Sequence, residues 1–394
     1  MTDAAPLRVL LVSQSAEVWG AERALLDLVP LLEERQVKLV LAGPPLGPFR
    51  TAWAAAGLQS VDLVLPPHRG VRHEPSGERA SPLALTREAT VVGRSAVAIA
   101  RCARRFDLVQ SESLWGHLET AVGGRLARRP VIMQAHDLVA AGIGRRLLQT
   151  AAGLSAATVA VSGAVAQLTG VHGAGHRTTV LHHGVDLDRF SPGAADPDVR
   201  SALGGKPDVP LVGILGRLDP EKGVDLLVRA MARLDGPAQA ARLVVVGEGL
   251  RTTPVAVAEL RSEAARLLGD RVRFVGRRTD IPAVMRSIDV LVSASTAEPF
   301  GLTILEAMAS GTAVVAVATG GVPEIVDDGV TGLLVPAGND QAMADAVGRA
   351  CSDPELRARL GTRARAAVEA GHRREIRADR LVELYREVVA RRGR

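Results

Sequence analysis

The sequence predicts an α/β protein of two domains, each a parallel sheet covered by helices. Three observations carry this. Short Val/Leu/Ile-rich runs alternate with helix-length segments from end to end, which is the rhythm of parallel sheets. The chain has 394 residues, more than one hydrophobic core usually serves, so two domains are expected. Only 2% of the residues are aromatic while 47% are hydrophobic. The core must therefore be built from Val, Leu, Ile and Ala, the residues of strands buried on both faces.

In the first half the expected strands are Leu7–Ser13, Lys38–Ala42, Val61–Leu65, Leu108–Gln110, Val131–Gln134, Thr158–Val161 and Thr179–Leu181. Helices such as Ala21–Glu34 and Arg87–Arg104 fall between them. The second half repeats the rhythm with strands at Leu211–Leu215, Arg242–Val246, Val272–Phe274, Val290–Ser293 and Ala313–Val317. Its helices are expected at Val224–Leu234, Val257–Leu268, Ile281–Ser287 and Leu302–Ala309. The turn-rich run from Phe190 to Pro197 reads as a linker, giving domains at residues 1–190 and 191–373. A last helix, from Arg374 to about Val389 within 374–394, has no strand after it and is expected to pack back on the first domain. Residues 66–82 form one long polar loop with Arg and His side chains; disorder and acceptor contact both remain open for it.

Composition narrows the class further. A net charge of +5, with Arg scattered beside acids and few stacking aromatics, reads as solvated helix faces and argues against a nucleic-acid partner. No apolar run approaches the ~20 residues of a membrane span. The start, Met1 to Pro6, lacks the features of a signal peptide. Two distant cysteines, Cys102 and Cys351, make no disulfide framework. A cytoplasmic protein is expected, with peripheral contact at the inner membrane face left open.

The most informative segment runs from Ser295 to Gly311 and places Glu298 and Glu306 eight positions apart. Pro299 and Gly301 keep Glu298 in a loop, while Leu302–Ala309 are good helix formers that carry Glu306 about a turn inside. The backbone N–H groups around Phe300, Gly301 and Leu302 then face outward at the positive end of the helix, an anion site flanked by two carboxylates. A phosphorylated sugar offers the matching groups. The second segment is Gly216-Arg217-Leu218-Asp219-Pro220-Glu221-Lys222-Gly223, at the end of a buried strand. Arg offers a planar fork and Lys a point charge, both suited to a diphosphate; a surface pair bridged to Asp219 and Glu221 is the plain alternative. Both segments occupy strand C-termini of one sheet, where ligands gather.

Other strand ends supply weaker candidates. Gly247-Glu248-Gly249 begins like a dinucleotide fingerprint, but Thr252 takes the third glycine position. Gly276-Arg277 could meet a flat base through backbone groups, or be an ordinary turn. Gly20 would let the backbone approach a ligand, and Ala135-His136-Asp137 places an imidazole at the ligand edge of the first domain. Gly320-Gly321 with Glu324 suits either ligand approach or a tight turn. Asp186 and Asp188 stand alone in sequence, no Cys/His spacing suits zinc, and no metal site is expected.

These segments together resemble the retaining GT-B glycosyltransferases of family 4. Glu298 and Glu306 match that family's E-x7-E motif, and Gly216-Arg217-Leu218 with Lys222-Gly223 matches its phosphate-binding pair. Gly320 to Glu324, followed by Gly329 to Val335, matches its next segment. His183 to Phe190 resembles the segment before its linker, with His183 where Asn is usual. Trp19-Gly20-Ala21-Glu22 resembles its Gly-Gly-x-Glu loop, with Trp19 in place of the first Gly. The resemblance implies two Rossmann-like domains facing a cleft, a UDP- or GDP-sugar donor held mainly by the second, and no required cofactor or metal. It implies Arg217 and Lys222 on the diphosphate, Glu306 on the ribose, Glu298 on the sugar, and Phe300, Gly301 and Leu302 on sugar and distal phosphate. Gly216, Gly247 and Arg277 would complete the nucleotide site, with Gly20 and His136 approaching from the first domain. The implied reaction moves a sugar to a hydroxyl of a glycan, lipid-linked or small-molecule acceptor, with Glu298, His136, Arg217 and Lys222 as the reacting set. A nucleotide-sugar epimerase and a non-catalytic sugar-nucleotide binder are the alternatives.

Overall fold

The computed structural model describes residues 5–66, 82–170, 177–249 and 252–392. Most of the long polar loop, residues 67–81, lies outside them. The chain divides into two compact units, Met1–Gly184 with Arg374–Arg394, and Val185–Arg373.

In the first unit the elements are β1 (Leu7–Val12), α1 (Gly20–Glu34), β2 (Val37–Gly43), α2 (Pro48–Ala55), β3 (Ser60–Asp62), α3 (Pro82–Ala103) and β4 (Leu108–Ser111). They continue as α4 (His117–Leu126), β5 (Val131–Ala135), α5 (Ile143–Leu154), β6 (Ala157–Ala160), α6 (Gly163–Thr169) and β7 (Thr178–Val180). The seven strands run parallel in the order β3-β2-β1-β4-β5-β6-β7. Strand order reverses between β1 and β4, the switch point at which ligands of such sheets bind. Alternate residues of each strand feed two apolar layers: Leu10, Val12 and Val109 pack under α3, while Val9, Leu11 and Leu108 pack under α1. The helix α1 buries Leu25, Leu28, Val29, Leu31 and Leu32, the stripe a 3.6-residue period requires.

The second unit contains α7 (Pro197–Ala202), β8 (Leu211–Leu215), α8 (Val224–Ala232), β9 (Arg242–Val246), α9 (Pro254–Leu268) and β10 (Val272–Gly276). Then follow α10 (Ile281–Ser287), β11 (Val290–Ser293), α11 (Leu302–Ala309), β12 (Ala313–Val317), β13 (Leu333–Val335), α12 (Asp340–Ser352) and α13 (Pro354–Gly371). Its parallel sheet has the order β10-β9-β8-β11-β12-β13, so the switch point lies between β8 and β11. The last helix, α14 (Arg374–Arg392), belongs to the first unit. It sets Ala378, Leu381, Val382, Tyr385 and Val388 into the α1 layer.

The change of unit falls at Gly184/Val185, so the run from Phe190 to Pro197 is part of the second unit and not a free linker. Three contacts explain this. Val185 N–H donates to His372 O at 2.9 Å, Phe190 is 2% exposed, and the Arg365 guanidinium donates to Phe190 O and Ala309 O at 2.7 Å each.

Candidate functional site

At the switch point of the second unit, the loops after β8 and β11 meet. Thr296 N–H donates to Glu221 O at 2.9 Å, tying one loop to the other. Lys222 Nζ donates to Glu298 Oε2 at 2.8 Å, so two residues singled out separately in the sequence form one ion pair. The loop after β12 joins them: Gly321 N–H donates to Glu298 O at 3.0 Å, and Thr319 Oγ1 donates to Thr296 O at 3.0 Å. Three strand ends thus share one hydrogen-bonded rim.

Arg217 takes the plainer of its two expected arrangements. Its Nε lies 3.2 Å from Asp219 Oδ2, and its Nη2 donates to Glu221 Oε1 at 3.0 Å. The Asp219 side chain is fully buried, whereas those of Arg217 and Glu221 keep 24% and 33% of their surface exposed. Buried Asp219 therefore sets a carboxylate beside the guanidinium, whose hydrogen bond goes to Glu221.

Glycines let the backbones close under this rim. Gly216 and Gly247 follow adjacent strands with φ of +146° and +141°. A β-carbon at Gly247 would overlap the Gly216 carbonyl oxygen, and one at Gly223 would overlap Ala294 O. Gly247 N–H donates to Gly276 O at 2.8 Å, carrying the same floor to β10. The partial fingerprint at Gly247 is therefore a close approach of strands. Exposed Arg277 follows directly after that floor.

The helix α11 starts as expected. Gly301 caps it at φ +108° with no side-chain hydrogen bond, so the N–H groups of the first turn have no helical acceptor. Leu302 opens the helix, Phe300 before it is 3% exposed, and half-buried Glu306 lies four residues into it. Glu324 sits exposed at the end of a short 3-10 turn, Val322–Glu324. Asp186 accepts from the N–H groups of Asp188 (3.0 Å) and Arg189 (3.1 Å), the pattern of a local turn. Among the described residues no group of three or more His, Cys, Asp or Glu gathers as a metal site.

In the first unit the loops after β1 and β4 also join. Gln14 N–H donates to Ser113 Oγ at 2.7 Å, and Glu112 N–H donates to Val12 O at 3.0 Å. His136, just beyond β5, has its Nε2 2.8 Å from Glu112 Oε2 and stacks on His183 with ring centres 5.6 Å apart. Glu112 was not among the sequence candidates; the signal for it was the polar ending Gln110-Ser111-Glu112 of an otherwise apolar strand. Burial pushes the His117 imidazole down to about 3, and its Nδ1 lies 2.7 Å from Ser111 Oγ. His183 is likewise held well below its usual value by burial. Gly20 is exposed at the start of α1 without a positive φ, and Trp19 N–H donates to Glu22 Oε2 at 3.0 Å. That loop is closed by a helix cap, so its conformation does not itself demand glycine at position 20.

Two parallel sheets of Rossmann type, each with candidate residues beyond its strand C-termini, define the class. The description "Glycosyl transferases group 1" matches residues 196–367, and "Glycosyltransferase Family 4" matches residues 18–189. A D-inositol 3-phosphate glycosyltransferase of Mycobacteroides abscessus is 39% identical over 234 residues, 57% of this chain and 50% of its own length. That of Actinosynnema mirum is 40% identical over 228 residues, 55% of this chain and 52% of its own. The chain thus spans about half the length of the curated relatives it matches. Among solved structures, Anabaena HepE in complex with UDP and glucose aligns over 96% of this chain and 99% of its own, with TM-score 0.79 and 25% identity. A glycosyltransferase from Rickettsia africae aligns over 98% and 99% with TM-score 0.80 at 19% identity, which speaks to the fold alone. The fold is that of GT-B glycosyltransferases. The chain belongs to glycosyltransferase family 4.

Proposed function

We propose that this protein transfers a sugar from a nucleoside diphosphate sugar to an acceptor hydroxyl with retention of anomeric configuration, in glycan, glycolipid or glycosylated-metabolite synthesis. The observation that carries the reading is the rim at the second unit's switch point. There Arg217, Lys222 and Glu298 stand on loops bonded to one another, beside the uncapped N-terminus of α11. As the sugar leaves, the diphosphate gathers negative charge, and Arg217, Lys222 and the helix N–H groups stabilise it. Preorganised donors of this kind are each worth roughly 3–4 kcal/mol when removed singly. In this reading the leaving phosphate also accepts the acceptor's proton on the same face of the sugar.

Glu306 takes the ribose hydroxyls and Glu298 the sugar; on donor binding Lys222 exchanges its carboxylate partner for phosphate. Phe300, Gly301 and Leu302 supply backbone groups, with Gly216, Gly247 and Arg277 completing the nucleotide site. Gly20 and His136 serve the reaction from the first unit. UDP-sugars head the donor panel because a structural neighbour at 25% identity is described with UDP and glucose. A small phosphorylated polyol heads the acceptor panel because the curated relatives are named for inositol phosphate. Two free thiols suit a reducing cytoplasm. A lipid-linked acceptor would add peripheral membrane contact; no described helix is long and apolar enough to cross a membrane.

The test is a panel of UDP-, GDP- and dTDP-sugars with polyol phosphate and glycan acceptors, read by proton NMR of the product's anomeric signal. The expected product keeps the donor's configuration. An epimerised donor without transfer would move the assignment to an epimerase, and binding without either would leave a sugar-nucleotide binder.

A further inference from the structure

The sheet face covered by α1 and α14 is apolar, with Leu108, Ile132 and Val159 facing Ala378, Leu381 and Val382. Gln110 and Gln134 interrupt it at the ends of β4 and β5, each 1% exposed. The helix α14 brings two polar side chains to them. Buried Tyr385 donates its hydroxyl to Gln110 Oε1. Gln110 Nε2 donates to Glu112 Oε1, and Glu112 Oε2 meets His136 Nε2 at 2.8 Å. Arg377 Nη2 donates to Gln134 Oε1 at 3.4 Å, and its Nη1 donates to the carbonyls of Leu181 and His182. These precede His183, the ring stacked on His136. Two routes therefore run from α14 to one imidazole.

The first route has a single polarity. The Tyr385 hydroxyl has one proton, which goes to the Gln110 oxygen. Gln110 must then present its amide nitrogen to Glu112, because the flipped amide would set a carbonyl against a carboxylate. Glu112 is left to accept from His136, so the neutral imidazole carries its proton on Nε2. Its Nδ1 is the lone-pair atom, buried and without a hydrogen-bond partner among the described residues. A Phe at 385 would fill the same apolar layer without burying a hydroxyl, which has a cost unless the group is bonded. Packing alone does not call for this chain of polar groups.

We propose that Tyr385 and Arg377 of the C-terminal helix are positioning residues that hold the Glu112–His136 pair in one orientation and one tautomer. This rests on the reading of His136 as a group that serves the reaction. The titratable groups that act directly on His136 are Glu112 beyond β4, His117 opening α4 and His183 beyond β7, with Asp137 its chain neighbour; Arg377 and Tyr385 on α14 act on Glu112, and His182 on His183. Burial keeps His117 and His183 neutral.

The experiment uses the full chain with 15N-labelled histidine. The His136 ring signals are identified by their loss in His136→Gln and compared in Tyr385→Phe, in Gln110→Met and in the double variant. The wild type is expected to show the Nε2–H tautomer. Each single variant is expected to mix the tautomers, read from the Nδ1 and Nε2 chemical shifts. The double variant is expected to mix them no further, because both changes cut one chain. The kcat–pH profile is expected to shift alongside, with donor KM within about twofold. Lower melting temperatures with an unchanged His136 tautomer would overturn the proposal, as would fully additive effects on the tautomer. Should Tyr385→Phe not fold, Gln110→Met alone decides by the same readout. The NMR arm does not need activity, so a failure to transfer sugar would count against the proposed function and not against the positioning.

Discussion

Replacing Gly247 by Ala probes the close approach of β8 and β9 beneath the candidate donor site. Gly247 holds φ at +141°, and an added β-carbon would come closer than 3.0 Å to the Gly216 carbonyl oxygen. Gly216 has nearly the same φ, +146°, but a β-carbon there meets nothing within 4 Å. Gly216→Ala therefore carries backbone strain alone, about 1–3 kcal/mol. Gly247→Ala carries that strain plus overpacking of roughly 1–3 kcal/mol. The difference, about 2 kcal/mol, corresponds to a melting temperature about 4–8 °C lower for Gly247→Ala at the sensitivity usual for a unit of this size. Scanning calorimetry of the second unit's transition, with the two variants side by side, is the assay. UDP titrations on the same samples are expected to show the weaker binding in Gly247→Ala than in wild type, since Gly216 can yield only by moving Arg217. If the two variants melt together, the close approach does not exist in solution and the reasoning is refuted.

Further expectations follow from individual side chains. Arg217→Ala with Lys222→Ala is expected to lower transfer at least about 1,000-fold, since each cation is proposed to stabilise the leaving diphosphate; near-normal nucleotide release would sink the donor-clamp reading. Glu298→Gln is expected to raise donor KM roughly 10- to 100-fold through loss of a charge-assisted bond, with kcat retained at saturation; a loss of kcat at unchanged KM would make Glu298 a catalytic group instead. Glu306→Gln is expected to weaken binding of UDP and UDP-sugar alike by a similar factor, and an unchanged Kd in calorimetric titration would remove it from the ribose. The first unit is expected to lose stability in acid because of His117. Its folded value of about 3 lies below the ordinary 6.5, so the folded state resists protonation. The stability is intact above pH 6.5 and is lost as pH falls toward 3, by about 2 kcal/mol at pH 5. In urea titrations across that window His117→Asn should flatten the loss; an equally steep loss would place its cause elsewhere.

Much of the second unit was legible because its strands are buried on both faces. Leu211–Leu215, Arg242–Val246, Val290–Ser293 and Ala313–Val317 have the expected limits, since unbroken Val/Leu/Ile runs bounded by turns leave little choice. Leu333–Val335 went unread as a strand because three residues show no periodicity of their own. Val61–Leu65 was expected where Ser60–Asp62 pairs with β2, because an edge strand has only one neighbour to set its length. The helix expected from Arg87 starts at Pro82, whose fixed φ suits a first turn. The types of the site residues were readable, but their partners were not. Lys222 and Glu298 are 76 positions apart, and only the order of strands brings them together. The Arg217 pairing with Asp219 and Glu221 was visible as the local alternative, and the structure adds that the Asp219 side chain is fully buried beside it. Glu112 escaped notice because a single carboxylate beyond a strand carries no motif. Its importance appears only once β4, β5 and α14 are packed together.

The second unit's switch point is proposed to bind a nucleoside diphosphate through Arg217, Lys222 and the N-terminus of α11. Calorimetric titration of UDP, GDP and dTDP into the wild type and into the Arg217→Ala, Lys222→Ala variant tests it most directly. Saturable one-site binding of at least one nucleotide to the wild type, weakened at least about 100-fold in the double variant, is the expected result. Binding of equal strength in both proteins, or of no nucleotide to the wild type, would contradict it.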